Sequence, residues 1–136
     1  MLLKTRDYPK TMLAWLIISA LIIVGHSLLP GVFAYDYTAI LLAVIGAIYI
    51  GFALQDSRPN IIVLELVGAS FFVLLAVLGL WLNPYLWVLG LVLHGIWDWL
   101  HHDEGIRTKL PAYYPPLCVM VDWIVAIYLF FWLGFT

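Results

Sequence analysis

The chain has 136 residues, 65% of them hydrophobic and only 10% charged, with a formal net charge of −2. Soluble domains carry about 25% charged residues, so a mean hydropathy of +1.06 leaves too little polar surface for a water-facing fold and makes lipid the solvent. The absence of a basic patch speaks against a nucleic-acid partner, and a single cysteine, Cys118, excludes an intramolecular disulfide.

About 17–25 apolar residues cross a bilayer as a helix, and five stretches qualify: 12–29, 37–54, 61–82, 84–102 and 115–135. The expected fold is all-α: a polytopic transmembrane helical bundle of about five spans, one domain over residues 1–136, in the cell membrane as a multi-pass protein.

The first span follows Lys4, Arg6 and Lys10 and ends before Val32-Phe33-Ala34, which has the outline of a signal peptide. Its apolar run exceeds the usual ~7–15 residues of a signal core, so it reads as a retained span. His26 and Ser27 lie at its far end and read as structural or interfacial. On the second span Ala39, Ala43, Ala47 and Gly51 recur every fourth residue, a stripe that lets another helix approach. The polar run Gln55 to Asn60 separates it from the third span, whose one ionisable residue is Glu65.

Asn83-Pro84 forms the tip of a hairpin between spans three and four. Counting 18 residues back from Asn83 reaches Glu65, and 18 forward reaches His101, so these two share a depth. The fourth span carries His94, Asp98 and His101 at i, i+4 and i+7, on one helical face, with His102 turned away. His102, with Asp103 and Glu104, reads as a solvated helix end. Gly90 continues the ionisable face outward and leaves room beside it. The loop Asp103 to Tyr114 leads to Pro115-Pro116, which suit a helix's first turn. In the fifth span Asp122 lies about 10 Å from the inner interface at ~1.5 Å per residue, level with His94 and Asp98. Cys118 is one turn before it, more often a packing residue than a ligand.

Orientation follows from charge. With the N-terminus cytoplasmic and the C-terminus outside, Lys4, Arg6, Lys10, Arg58, Arg107 and Lys109 all fall inside. Trp15, Trp97 and Trp99 then mark the inner interface, and Trp81, Trp87 and Trp132 the outer one.

No Lys or Arg lies within the spans to neutralise Glu65, Asp98 and Asp122. Either the acids are protonated or a cation sits among them. Imidazole with carboxylate suits a divalent metal ion, zinc first, with iron or manganese compatible. The expected metal ligands are His94, Asp98, His101 and Asp122, and the expected catalytic acid–base groups are Glu65 and Asp122. That set describes a metal-dependent hydrolase acting on a lipid or amphiphilic substrate drawn from the membrane. A proton or cation conductor, or an accessory subunit of a larger membrane complex, is the alternative. Assembly as a homo-oligomer is left open, as is a polar network that only joins helices.

At HGIWDWLHH and CVMVDWIVAIYLF the sequence resembles an uncharacterised family of small bacterial integral membrane proteins, in which a His-Gly-x-Trp-Asp-x-x-His-His helix precedes a final span bearing an aspartate. The matching residues are His94, Gly95, Trp97, Asp98, His101, His102 and Asp122. The resemblance covers about the last third of the chain and implies no activity. A looser likeness is to ceramidase-like membrane metallohydrolases, which also place His and Asp inside a helical bundle. Those have seven spans and an HxxxH pair, against five spans and HxxxD here, so no residue roles carry over.

Overall fold

The computed structural model describes residues 8–102, 106 and 108–136, with side chains from Lys10 onward. Lys4, Arg6, Asp103, Glu104 and Arg107 lie outside the described residues. The protein is all-helical: α1 (Tyr8–Ser27), α2 (Gly31–Asp56), α3 (Pro59–Trp81), α4 (Tyr85–His102) and α5 (Tyr114–Phe135). Four of these are long and apolar enough to cross a membrane; α4, interrupted by its own histidines and aspartate, is the fifth.

The helix ends follow local chemistry. Pro59 opens α3 and Pro115-Pro116 open α5, where a missing N–H costs nothing. The α3–α4 turn is closed by Asn83, whose Oδ1 accepts from the backbone N–H of Tyr85 at 2.9 Å. α2 ends at Ser57, a non-glycine residue in the left-handed region (φ 64°), whose N–H reaches back to the Ala53 carbonyl. At its other end α2 begins at Gly31, directly after Pro30, so the helix starts six residues before the span expected over 37–54.

Neighbouring helices alternate in direction. At one end His26 of α1 meets Tyr128 and Trp132 of α5, and Tyr35 of α2 packs on Trp87 of α4. At the other end Asp56 accepts the backbone N–H of Lys109 at 2.9 Å, tying the α2–α3 turn to the α4–α5 loop. α4 is the central helix, packed mainly on α5 and then on α3 and α2, while α1 leans on α5 and barely touches α2.

The surface is inverted relative to a soluble protein. Leu13, Ile17, Leu21, Val63, Val67, Ile127 and Phe131 are half or more exposed, while Glu65, His94, Asp98 and Asp122 are buried. Water would penalise that arrangement twice over; hydrocarbon accepts the outside and leaves the inside to be satisfied internally. This is a membrane protein by composition and by the placement of its side chains.

Close packing depends on glycines facing aromatic rings. A Cβ on Gly79 would collide with the Trp87 indole, one on Gly95 with Trp123, and one on Gly68 with Trp97. Trp87 is wholly buried, and its Nε1–H donates to the Ala76 carbonyl at 2.9 Å. It is a core residue rather than the interfacial anchor expected from the sequence. Two other expectations shift in the same way. The face of α2 that packs inward carries Ala39, Leu42, Gly46, Tyr49 and Ala53, so the expected stripe enters the core at Ala39, with Ala43 packed against it, and has left it by Gly51, which is exposed. The room expected beside Gly90 is filled by Leu42.

Candidate functional site

The ionisable residues form two neighbouring groups in the half of the bundle nearer the α2–α3 turn. In the deeper group, His94 Nδ1 meets Asp122 Oδ2 at 2.6 Å, joining α4 to α5. The same Nδ1 lies 3.3 Å from Asp98 Oδ2, one turn along α4. All three residues are buried to within 1% exposure, and one ligand atom from each lies within 4.8 Å of the other two. The i, i+4 spacing of His94 and Asp98 puts both on the face of α4 that meets α5, which is why Asp122 reaches them.

The other oxygen of Asp98 is held from a third helix. Tyr49 Oη of α2 donates to Asp98 Oδ1 at 2.6 Å. That fixes the carboxylate's rotation and aims Oδ2 at His94. Two polar atoms of the group, His94 Nε2 and Asp98 Oδ2, are buried without a hydrogen-bond partner. Leaving a buried polar atom unsatisfied costs about 1–3 kcal/mol, so the pair signals an absent partner.

The second group holds Glu65 and His101. His101 Nε2–H donates to Glu65 Oε1 at 2.6 Å, and His101 Nδ1 faces the Trp97 carbonyl at 2.7 Å. The Thr108 hydroxyl also donates to Glu65 Oε1, so the α4–α5 loop closes over this pair. Depth matching between Glu65 and His101 is thus expressed as a direct contact. Both ring nitrogens of His101 are engaged, and it stands with Glu65 instead of in the cluster of His94, Asp98 and Asp122. Of the four expected ligands, His94, Asp98 and Asp122 come together as a group that could hold an ion, while His101 stands apart, bonded to Glu65. The Tyr49 ring, 4.2 Å from the His101 ring centre to centre, is the wall between the two groups.

Tyr49 and Thr108 are the residues that sequence reasoning missed. Tyr49 is one of 8 tyrosines in an aromatic-rich chain, and nothing local marks it. His26 lies at the opposite end of the bundle, buried, with Nδ1 at 3.0 Å from the Tyr128 hydroxyl and the Tyr37 and Trp132 rings around it. It takes no part in either group. His102 is exposed. Cys118 is half-buried and lines a cavity with His94 and Asp122.

Chemically, the deeper group is two carboxylates and one imidazole in low dielectric, and among the described residues the ion-pair partners of these carboxylates are histidines. Oxygen and nitrogen donors converging without a Lys or Arg fit a divalent cation, which favours ionised carboxylate and neutral imidazole together. Three protein ligands, with Tyr49 orienting one of them from outside, is the pattern of a site that keeps a coordination position open.

Fold and site together define a helical membrane protein with a buried His/Asp group able to hold a metal ion. The chain belongs to a family of unknown function, DUF6010, which matches residues 10–134. No curated protein and no solved structure matches it.

Proposed function

We propose that the protein is a multi-pass cell-membrane enzyme in which His94, Asp98 and Asp122 hold one divalent cation and a lipid or amphiphilic substrate is hydrolysed beside it. The observation that carries this reading is the convergence of three buried ligand atoms within 4.8 Å, with no Lys or Arg among them. Zinc is the first choice; iron and manganese accept the same donors. A cation bound this way lowers the pKa of a water in its open position and supplies a hydroxide nucleophile near neutral pH. Asp122, which lines the adjoining cavity, is the carboxylate placed to exchange protons with substrate. Glu65 is assigned to holding His101 and the loop, not to the chemistry.

The cytoplasmic orientation of the site rests on charge. Lys10, Arg58 and Lys109 lie at the end of the bundle nearer the ionisable groups, and Asp36 lies at the other. The positive-inside rule then puts the N-terminus in the cytoplasm and the C-terminus outside.

The test is hydrolysis of a fluorogenic fatty acyl ester and amide by purified protein in detergent. Activity is expected to disappear with chelator, to return with added zinc, and to be absent in Asp122→Ala. Metal-loaded protein that cleaves neither probe would count against a hydrolase.

One observation favours a second reading, a proton relay. Hydrogen bonds join Asp122 to His94, Asp98 to Tyr49, His101 to Glu65 and Thr108 to Glu65; His94 Nδ1 lies 3.3 Å from Asp98 Oδ2, and the Tyr49–His101 ring contact spans the remaining gap. Proton flux into vesicles carrying metal-free protein would support it.

A further inference from the structure

A cavity of about 180 Å³ lies between α1, α2, α4 and α5 and ends on the deeper ionisable group. Its walls are aliphatic: Ile18 and Ile22 from α1, Ile45 and Ile48 from α2. Its polar end is formed by His94 and Asp122, with Tyr114 and Cys118 beside them. Three other grooves on the bundle, among the described residues, are apolar throughout, with Ser70 the one hydroxyl in their linings. Only the first leads from lipid-like walls to ionisable side chains.

We infer that this cavity binds a single aliphatic chain ending in an uncharged carbonyl group, a fatty acyl ester or amide, with the carbonyl at the His94–Asp122 end. The inference rests on the metal reading of the site and names its substrate class. His94 and Asp122 are buried at the polar end of this cavity. Buried polar groups call for a polar partner from whatever fills the space beside them.

Charge selects the kind of acceptor. Two carboxylates, a neutral imidazole and a divalent cation sum to zero, and no Lys or Arg lines the cavity. An anionic phosphate or carboxylate head would be buried there without compensation, which is costly in low dielectric. A carbonyl oxygen carries only partial charge and avoids that cost. The volume and the aliphatic walls suit one hydrocarbon chain, not a bulky headgroup. Entry from the bilayer is available because α1, one wall of the cavity, barely touches α2.

The test is photolabelling of the purified, metal-loaded full chain with a fatty acyl methyl ester bearing a mid-chain diazirine, read by mass spectrometry of labelled peptides. Label is expected on the α1 and α2 wall residues. Unlabelled fatty acyl methyl ester should compete, and an alkane of the same length should compete at least about tenfold more weakly because it leaves the polar end of the cavity without a polar partner. Ile45→Trp, which fills the cavity, should reduce wall labelling by about tenfold, while Val73→Trp in a groove on another face should leave it unchanged. Equal competition by the alkane, measured on the wild-type chain, overturns the inference, as does wall labelling that survives Ile45→Trp. Elemental analysis of the same samples keeps the two ideas apart. Metal present without wall labelling overturns the acyl site alone; wall labelling and ester-selective competition on metal-free protein overturn the metal reading alone.

Discussion

Tyr49 shows how much a single side chain contributes to the site. Its hydroxyl takes one oxygen of Asp98 and so leaves the other for the convergent group. Tyr49→Phe is expected to destabilise the protein by about 1–3 kcal/mol, the cost of an unsatisfied buried acceptor, and to weaken metal binding by about 10–100-fold. Thermal unfolding in detergent and metal titration measure the two effects. His101→Gln, in contrast, should leave metal stoichiometry unchanged, because His101 bonds Glu65 and the Trp97 carbonyl; loss of the metal in that variant would return His101 to the ligand set. His94, Asp98 and Asp122 were legible as candidates because ionisable groups are rare and expensive in an apolar helix. The assignment of His101 was not, since a shared helical face does not say which neighbouring helix each residue meets. Glu65 stands opposite His101 and Asp122 stands opposite His94, and only the packing of α3 and α5 on α4 distinguishes them.

The helices themselves were readable from run length and turn residues, with Asn83-Pro84 and Pro115-Pro116 acting at the ends where they were expected. Their rotation about their own axes was not. In a bilayer the lipid side and the protein side of a helix are both apolar, so hydrophobic periodicity does not mark the packed face. Hence the stripe of α2 marks the packed face at Ala39 and Ala43 but not at Gly51, and Leu42, Gly46, Tyr49 and Ala53 complete the inner face. The same difficulty hides the glycine–tryptophan contacts, because a glycine in a span announces only that it is small. Two substitutions test this level with opposite signs. Gly79→Ala pushes into the Trp87 indole and should destabilise by about 1–3 kcal/mol. Gly51→Ala meets nothing within 4 Å and should be neutral or stabilising by up to about 1 kcal/mol, from helix propensity. Equal effects at the two positions, read by thermal unfolding, would contradict the packing described for α3 and α4.

For the whole molecule, alternation of the five helices places Ser57 and Asn83 at opposite ends of the bundle. In intact cells a membrane-impermeant thiol reagent should therefore label Asn83→Cys and spare Ser57→Cys, against the parent chain with its half-buried Cys118. Labelling of Ser57→Cys alone would invert the orientation. Composition made the membrane setting plain, and the positive-inside rule gives the direction, but neither explains why a membrane bundle should bury three carboxylates with histidines as their only described ion-pair partners. A resident cation explains it, and the most direct test is elemental analysis of the protein purified without chelator and then equilibrated with zinc at neutral pH. The account predicts about one divalent ion per chain, lost in His94→Ala and Asp122→Ala and retained in His26→Ala, whose histidine sits among Tyr37, Tyr128 and Trp132 at the far end. A wild-type chain that carries no metal and takes up none would contradict it.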